Sequence, residues 1–236
     1  MATMTYLQLC QKLAERCGVS GGSSTVPTTV VNQQGEMRRI VGWINEAYTL
    51  IQELEPNWHW MRKSVSFNTI EGQPIYTQQM CGITDLSNWK LSSHDCSFRC
   101  YLTSVGVRSE VFMNFVQYDN WRDYYQYGNV RLTQGRPLYV TILPNLSLGL
   151  GLTPDSLGYT IVGDYFHEPL QLTADGDIPT MPPQFHMLIV YQAMMLYGAY
   201  ESAQEIYQEG KLLFNQMMNR LRNIQLNEIT WGNPLA

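Results

Sequence analysis

Residues 176–207 read GDIPTMPPQFHMLIVYQAMMLYGAYESAQEIY, and in this stretch the chain changes from one kind of structure to another. Three prolines precede Phe185 and His186, and proline favours the first turn of a helix because its φ is already fixed near the helical value. Apolar and small residues then recur every three or four positions. The stretch therefore predicts the start of a long helix, with His186 in its first turn.

The helical pattern continues to Ile224 and predicts one helix of about forty residues, or two helices in line with a break near Gly210. Ala193, Ala199 and Ala203 are small enough to let another helix approach this one closely.

Two more helices are predicted near the start of the chain. Thr5 and Gln8 fit a capping box, and apolar residues follow at helical spacing until Gly18. Residues 18–35 are rich in Gly, Ser and Thr, which is typical of an irregular connection. A second helical stripe begins at Glu36 and ends before Pro56.

The sequence between about 63 and 170 changes character. Short alternating or β-branched runs, such as PLYVTIL and YTIVGDYF, are separated by Gly, Pro, Asn and Asp. This pattern predicts strands. The segment YDNWRDYYQYGN, residues 118–129, is aromatic and polar and fits neither pattern.

The order of these segments predicts an α+β fold, with a helical layer from both chain ends and an inserted β-rich domain. We expect a helical bundle from residues 1–62 and 180–226, a β-rich domain from 63–179 and a C-terminal tail from 227–236. A chain of 236 residues is long enough for such domains to have cores of their own.

Composition narrows the range of partners. Fifteen Lys and Arg against twenty Asp and Glu give a formal charge of −5, without the basic face typical of a protein that grips nucleic acid. Only 15% of residues are charged, which suggests that much of the surface meets other protein. No apolar run approaches the roughly 18 residues of a membrane span, so no membrane partner is expected.

The start of the chain lacks the pattern of a signal peptide. The five cysteines are therefore expected to be reduced thiols of a protein made in cytoplasm.

One sequence match suggests a hydrolase. Residues 18–22, GVSGG, fit the G-x-S-x-G pattern of a nucleophile elbow, with Ser20 as nucleophile. An elbow requires a strand before the serine and a helix after it, and Ser20 has the opposite surroundings. The four histidines, His59, His94, His167 and His186, stand in no recognisable catalytic order with Ser, Cys or a carboxylate.

Zinc is a second possibility, weighed against buried thiols. Cys81, His94, Cys96 and Cys100 could supply four ligands. Only Cys96 and Cys100 have the spacing of a structural site, and Cys81 lacks a close cysteine partner. The pattern favours buried or half-buried reduced thiols.

Glu201, Glu205 and Glu209 are spaced by four and are expected to form one acidic line along the long helix. Such a line is often a solvated face. The alternative is an acidic surface that faces a channel or a partner, because a negative wall keeps DNA from adhering.

The last ten residues have lost the helical pattern but carry Ile229, Trp231 and Leu235. A short apolar tail either folds back on its own chain or reaches into a neighbouring protein, and the sequence leaves both open.

The stretch from Gly135 to about Arg222 resembles the C-terminal half of the head-to-tail adaptor (connector) proteins of tailed bacteriophages. The resemblance rests on an ordered series of residues, and residues 78–130 match least. The series comprises Gly135, Arg136, Pro137, Pro154, Asp155, Tyr159, Tyr165, Pro169, Leu172, Thr173, Asp177, Pro179, Pro182, Phe185 and His186. The N-terminal helix INEAYTLIQELEPNWHWM and the strand after it are also similar in organisation.

The resemblance implies a structural virion protein and no enzyme, cofactor or metal. Such adaptors form a ring, commonly of twelve subunits, that docks under the portal protein and offers its other face to tail proteins such as a nozzle. DNA passes through without specific binding. This places the protein in the virion neck, at the head–tail junction, after assembly in host cytoplasm.

On this interpretation His186 only helps to start a helix, and Ile229, Trp231 and Leu235 insert into the portal. Glu201, Glu205 and Glu209 become candidates for residues that face the channel. An alternative of another class is a tail-fibre or baseplate protein that recognises a partner or glycan through YDNWRDYYQYGN. An exposed aromatic cluster there, together with a trimeric assembly, would favour it.

Overall fold

The computed structural model describes residues 3–19, 26–91 and 96–226. These ranges contain five helices and two mostly antiparallel sheets, so the chain has the predicted α+β composition. The helices are α1 (Tyr6–Arg16), α2 (Gly35–Glu53), α3 (Tyr118–Tyr125), α4 (Met187–Tyr200) and α5 (Gln204–Gln225). The strands are β1 (Arg62–Asn68), β2 (Ile75–Tyr76), β3 (Leu86–Trp89), β4 (Arg99–Leu102), β5 (Val111–Phe112), β6 (Asn114–Phe115), β7 (Tyr139–Ile142), β8 (Leu148–Gly151) and β9 (Tyr159–His167).

Backbone contacts group the described residues into two compact units. We call those within Met1–Met61 and Pro169–Ala236 the helical unit, and those within Arg62–Glu168 the β unit. The strands and α3 lie in the β unit, and the other four helices lie in the helical unit.

The first helix begins with the predicted capping box. Thr5 Oγ1 accepts from the N–H of Gln8, and Gln8 Oε1 accepts from the N–H of Thr5. These two bonds satisfy donors that a helix start otherwise leaves unpaired. Gly18 follows the helix with φ of +70°, a left-handed conformation that glycine adopts without strain.

The second helix buries the predicted apolar stripe as far as Ile51, whereas Leu54 lies beyond the helix and is 46% exposed. Trp58 is fully buried after the helix. Its indole N–H donates to the carbonyl of Ile51 at 2.9 Å, and its ring stacks on Trp60 at 4.4 Å between centroids. The turn after α2 is therefore fixed by an aromatic pair.

The fourth helix is the centre of the helical unit. Leu188, Ile189 and Val190 are consecutive and all fully buried, so α4 is apolar on every side. A helix without a polar face needs neighbours around its whole circumference. It packs against α1, α2 and α5.

The prediction of one long helix, or of two in line with a break near Gly210, was wrong. The helix ends at Tyr200, Ser202 has φ of +57°, and α5 begins at Gln204. The two helices then run antiparallel, because Gly198 lies against Tyr207 and Gly210 lies against Met194. Gly210 therefore permits close packing of α5 on α4 and is not a break.

The β unit is built around β9. This strand pairs with β1, β3 and β4, and the first sheet has the order β1-β9-β4-β5. The second sheet has the order β2-β8-β7-β6, with a parallel pair only between β6 and β7. Val65 and Phe67 of β1 are buried while their neighbours are exposed, as the alternation predicted.

Both sheets contribute to one hydrophobic core, which includes Phe98, Cys100, Val140, Leu148 and Ile161. Gly163 of β9 touches the ring of Phe98, where an added Cβ would lie 2.7 Å from the ring carbons. The ring therefore fills the space that a side chain at position 163 would take.

The unassigned segment 118–129 contains a helix, α3, that packs on the second sheet. Trp121 is buried against Gly149, and Tyr125 lies against Gly151. Both glycines of β8 are required, because an added Cβ would lie less than 3.0 Å from these rings.

Two helical glycines give a matched test of the α4–α5 hairpin. An added Cβ at Gly198 would lie 2.8 Å from the backbone nitrogen of Tyr207, whereas one at Gly42 of α2 would meet nothing within 4 Å. Gly198→Ala should therefore lower the free energy of unfolding by about 1–3 kcal/mol. Gly42→Ala should raise it by about 0.5–1 kcal/mol, as alanine usually does in a helix. Urea unfolding followed by circular dichroism measures both, and equal effects would contradict the close packing.

Candidate interaction surfaces

Residues 169–186, which we call the lead-in segment, are held by polar side chains of α2. Gln52 donates to the carbonyl of Leu170 at 2.9 Å and accepts from its N–H at 3.0 Å. Asn45 Oδ1 accepts from the N–H of Leu172. The Tyr48 hydroxyl accepts from the N–H of Thr180 at 3.0 Å. Residues 45, 48 and 52 lie on one side of the helix, so α2 binds the segment along much of its length.

The lead-in segment also completes the first helix. The carbonyl of Asp177 accepts from the N–H of Tyr6 at 2.8 Å, and that of Asp175 accepts from the N–H of Leu7 at 3.3 Å. A helix start leaves its first N–H groups without intrahelical partners. A segment from the other end of the chain therefore satisfies donors that α1 cannot satisfy by itself.

Two carboxylates shape this turn. Asp177 Oδ2 accepts from the N–H groups of Thr173 and Ala174, and these backbone bonds, that of Ala174 first, lower the pKa of Asp177. Asp175 Oδ1 accepts from the N–H of Val30 and the hydroxyl of Thr29. The turn thus joins α1, the connection before α2 and the lead-in segment.

His186 is buried, with only 1% of its surface exposed. Its Nδ1 accepts from the N–H of Met4 at 3.1 Å, so Nε2 carries the proton and donates to the carbonyl of Met181 at 3.1 Å. Burial, the largest cause, lowers the pKa of His186 below its ordinary 6.5. The residue is therefore a neutral link between the chain start and the lead-in segment.

Several residues that carry the family resemblance in the β unit are also hydrogen-bonding anchors. Arg136 donates to the carbonyls of Cys100 and Ser109. The hydroxyl of Tyr159 donates to Asp155, and that of Tyr165 donates to Asp85. These contacts hold loops to strands.

One surface of the helical unit combines aromatic rings with an arginine. The indole of Trp43 lies 5.6 Å from the rings of Tyr197 and Tyr200, and the guanidinium of Arg39 lies 5.0 Å from the Tyr200 ring. Tyr200 is 58% exposed. Tyrosine, tryptophan and arginine are enriched where proteins meet other proteins.

Another surface of the helical unit is an open groove of about 630 Å³ beside α2. Its lining includes Arg38, Gly42, Glu46, Thr49 and Glu53, which recur every three or four residues on the solvent side of the helix.

The outer face of the first sheet has a depression of about 390 Å³. Arg62 pairs with Asp164 there, and Arg99 pairs with Glu110 and lies over the exposed ring of Phe112. The arginines already have carboxylate partners, so the depression is close to neutral.

The aromatic segment around α3 is partly exposed. Tyr124 and Tyr127 are 63% and 61% exposed, and Tyr124 packs edge-on against Tyr125 at 4.8 Å. The predicted fibre-type alternative requires such a cluster here.

The three acidic residues do not form one line on one helix, so that expectation was wrong. Glu201 follows the end of α4, and Glu205 lies in the first turn of α5. Glu209 accepts from Arg16 at 3.2 Å and is partly neutralised. A role for these residues in facing a channel stays a prediction.

Other predicted positions lie outside the described residues, namely Ser20, His94, Ile229, Trp231 and Leu235. Burial raises the pKa of the Cys81 thiol to about 12 and also raises that of Cys100, which keeps both protonated at neutral pH. Within 3–19, 26–91 and 96–226, no group of three or more His, Cys, Asp or Glu side chains is placed to hold a metal ion. No described helix is long and apolar enough to cross a membrane.

Sequence reasoning missed the polar anchors of α2. Asn45 and Gln52 lie at the border between the apolar stripe and the exposed side of α2. This border position is the only feature of the sequence that indicates their role. The buried state of His186 was missed as well, because its partners Met4 and Met181 lie in separate parts of the chain.

Comparison with protein families gives one match. A family model described as SU10 adaptor protein matches residues 4–236, which is nearly the whole chain. No curated protein matches the chain.

His186 makes the stability of the helical unit depend on pH. The unfolded histidine takes up a proton near pH 6.5 and the folded one only at lower pH, so the unfolded state binds more protons in that range. The free energy of unfolding should therefore fall as the pH drops below about 6.5. His186→Gln should be less stable at pH 8 but should lose less on acidification. Urea unfolding from pH 8 to 5.5 measures this, with exposed His59→Gln as control, and equal slopes in wild type and His186→Gln would contradict it.

Proposed function

The chain belongs to the SU10 adaptor protein family, and we propose on that basis that it is a structural virion protein of the head-to-tail adaptor type. In this role it forms a ring, docks on the portal and connects it to tail components around the DNA channel. The match over residues 4–236 carries the proposal, because it covers both units. The protein acts by binding and catalyses no reaction.

The internal contacts of the helical unit support a rigid structural role and not a catalytic one. The polar groups that a catalytic site would use are occupied by the backbone: His186 joins Met4 and Met181, and Asp177 holds Thr173 and Ala174. A protein that carries load between two assemblies needs such fixed internal links more than it needs reactive side chains.

We assign different partners to the two parts of the chain. The helical unit closes a ring of twelve subunits, the number common among head-to-tail adaptors, and meets the portal. The β unit meets tail or nozzle proteins. The tail, 227–236, docks on the portal through Ile229, Trp231 and Leu235.

The channel role rests on charge. A net charge of −5 and the absence of a basic run favour free passage of DNA over binding. We propose that Glu201, which is exposed in the turn after α4, faces the channel.

A second candidate is a tail-fibre or baseplate-type binding protein. The exposed Tyr124 and Tyr127 favour it, since exposed aromatic rings are suited to binding a partner or glycan. This alternative expects a trimer with a free α3 surface and no affinity for the portal.

Mixing the purified protein with the portal ring encoded beside it tests the proposal. Electron microscopy should show a second ring under the portal. A chain that ends at Leu226 should fail to add this ring, because it lacks the apolar tail residues. Trp231→Ala should reduce the occupancy of the portal by roughly tenfold or more, the effect of a loss of about 1.4 kcal/mol or more. Asn233→Ala, a polar change in the same tail, serves as the matched control.

A bare portal with full-length protein would argue against the adaptor function and in favour of the fibre-type alternative. A ring that forms equally well without residues 227–236 would keep the adaptor function but remove the tail from the portal contact.

A further inference from the structure

The solvent side of α2 carries its charges in an unusual order. Arg38 lies near the start of the helix, and Glu46 and Glu53 lie in its second half. The partial charge of a helix is positive at its start and negative at its end, so acidic residues are favoured first and basic residues last. The last turn of α2 has no basic residue and ends at Glu53. Glu36 in the first turn follows this rule, and Arg222 of α5 pairs with Glu55 just beyond the helix end at 2.9 Å. Within the described residues, however, Arg38, Glu46 and Glu53 on the solvent side form no salt bridge, so these charges are available to a partner with the opposite order.

The exposed side of α5 has the opposite order. Glu205 lies in its first turn and Arg220 lies near its end, with Glu209, Leu212, Gln216 and Asn219 between them. Glu209 already pairs with Arg16 of the same chain. Leu212 is 60% exposed although it lies in the middle of the helix. We call this side the α5 face, and the side with Arg38, Gly42, Glu46, Thr49 and Glu53 the α2 face.

The two faces match in spacing as well as in sign. Arg38 and Glu53 are fifteen residues apart (53 − 38), and so are Glu205 and Arg220 (220 − 205). Fifteen residues of helix rise about 22 Å. If the two helices lie side by side and parallel, Arg38 meets Glu205 at one end while Glu53 meets Arg220 at the other. Within the described part of the chain, none of these four side chains forms a salt bridge.

The fold presents the faces in the required orientation. Trp43 of α2 lies against Tyr197 of α4, and Arg39, four residues earlier, lies over Tyr200, three residues later, so α2 and α4 are antiparallel. The α4–α5 hairpin is also antiparallel. It follows that α2 and α5 run parallel within one chain. Both pack against α4 but make at most marginal contact with each other in the described residues.

The α2 face is also open to another helix. It borders the groove of about 630 Å³, and an added Cβ at Gly42 would meet no atom within 4 Å. A glycine inside an exposed helix is unfavourable for the isolated chain. Because Gly42 has no side chain, another helix can approach the α2 face closely at this position.

We propose that the α2 face of one copy binds the α5 face of a second copy of this chain, and that this head-to-tail contact closes the adaptor ring. Since the two faces differ, each copy offers one face to each neighbour, and repetition by rotation keeps the two helices parallel. The contact buries Leu212 and pairs all four charged residues. This inference rests on the proposed function, and it assigns Glu205 and Glu209 to the subunit contact and not to the channel.

Cysteine crosslinking tests the contact directly. Thr49 lies eleven residues after Arg38, and Gln216 lies eleven residues after Glu205, so the two meet at the same height (49 − 38 = 216 − 205). The double variant Thr49→Cys with Gln216→Cys, assembled with the portal and treated with a short bismaleimide, should give a ladder of covalent oligomers in a denaturing gel. Each single variant should give no ladder.

The outcomes separate this inference from the proposed function. A second ring under the portal without a ladder from the double variant would overturn the inference and leave the adaptor function intact. Absence of any ring with wild-type protein would overturn both. The native cysteines set the background, which the wild-type lane measures.

A charge exchange tests the pairing of Arg38 with Glu205. Arg38→Glu and Glu205→Arg should each reduce the fraction of portals that carry a ring by at least threefold, because each places like charges together. The two substitutions combined in one chain should restore ring formation to near the wild-type level. Circular dichroism checks that every variant is folded, and a combined variant no better than the single ones would contradict the pairing.

Discussion

Two backbone hydrogen bonds at the start of α1 are the contact on which the helical unit depends. The carbonyls of Asp175 and Asp177 accept the N–H groups of Leu7 and Tyr6, while the capping box satisfies Gln8 and Thr5. Short helices gain most of their stability from tertiary contacts. The eleven-residue α1 is therefore complete only when the lead-in segment is in place. That segment is in turn fixed by α2, so three distant parts of the chain order one another.

The β unit depends on a similar mutual constraint around β9. This strand has neighbours on both sides, and its Gly163 leaves space for the ring of Phe98. Gly149 and Gly151 do the same for Trp121 and Tyr125 of α3. In each case an aromatic ring from another part of the β unit fills the space that a glycine leaves open in a strand. Such close packing transmits force, because neither the ring nor the strand has room to shift.

An adaptor needs firm subunits and contacts that act together. The fold makes each subunit rigid through side chains such as the buried His186 and the half-buried Arg136, whose polar atoms bind backbone groups. Exposed ion pairs contribute little one at a time. In the proposed ring every copy is held by a neighbour on each side, so modest pairs between copies suffice. The same logic accounts for a surface that carries few charges and several exposed aromatic rings.

Much of this architecture follows from the sequence alone. The capping box of α1, the apolar stripe of α2, the alternation in β1 and the α+β composition were predicted correctly, because each depends on residues close together in the chain. The family resemblance was also confirmed, because it rests on short motifs whose order along the chain can be recognised in a single sequence. The helix α3 was not predicted, because its tyrosines and charges have no clear period and its stability depends on the glycines of β8.

Only the tertiary structure decided how the last two helices lie. Helical spacing continues through residues 201–203, so the sequence predicted helices in line, whereas the turn at Ser202 folds α5 back on α4. Because of this turn, Glu201 does not lie in the same helix as Glu205 and Glu209, so the three residues do not form one acidic line. Burial of His186 and the parallel course of α2 and α5 also depend on contacts between distant residues. Local sequence determines which segments form helices and strands, but the direction in which they pack is set by side chains that meet only after folding.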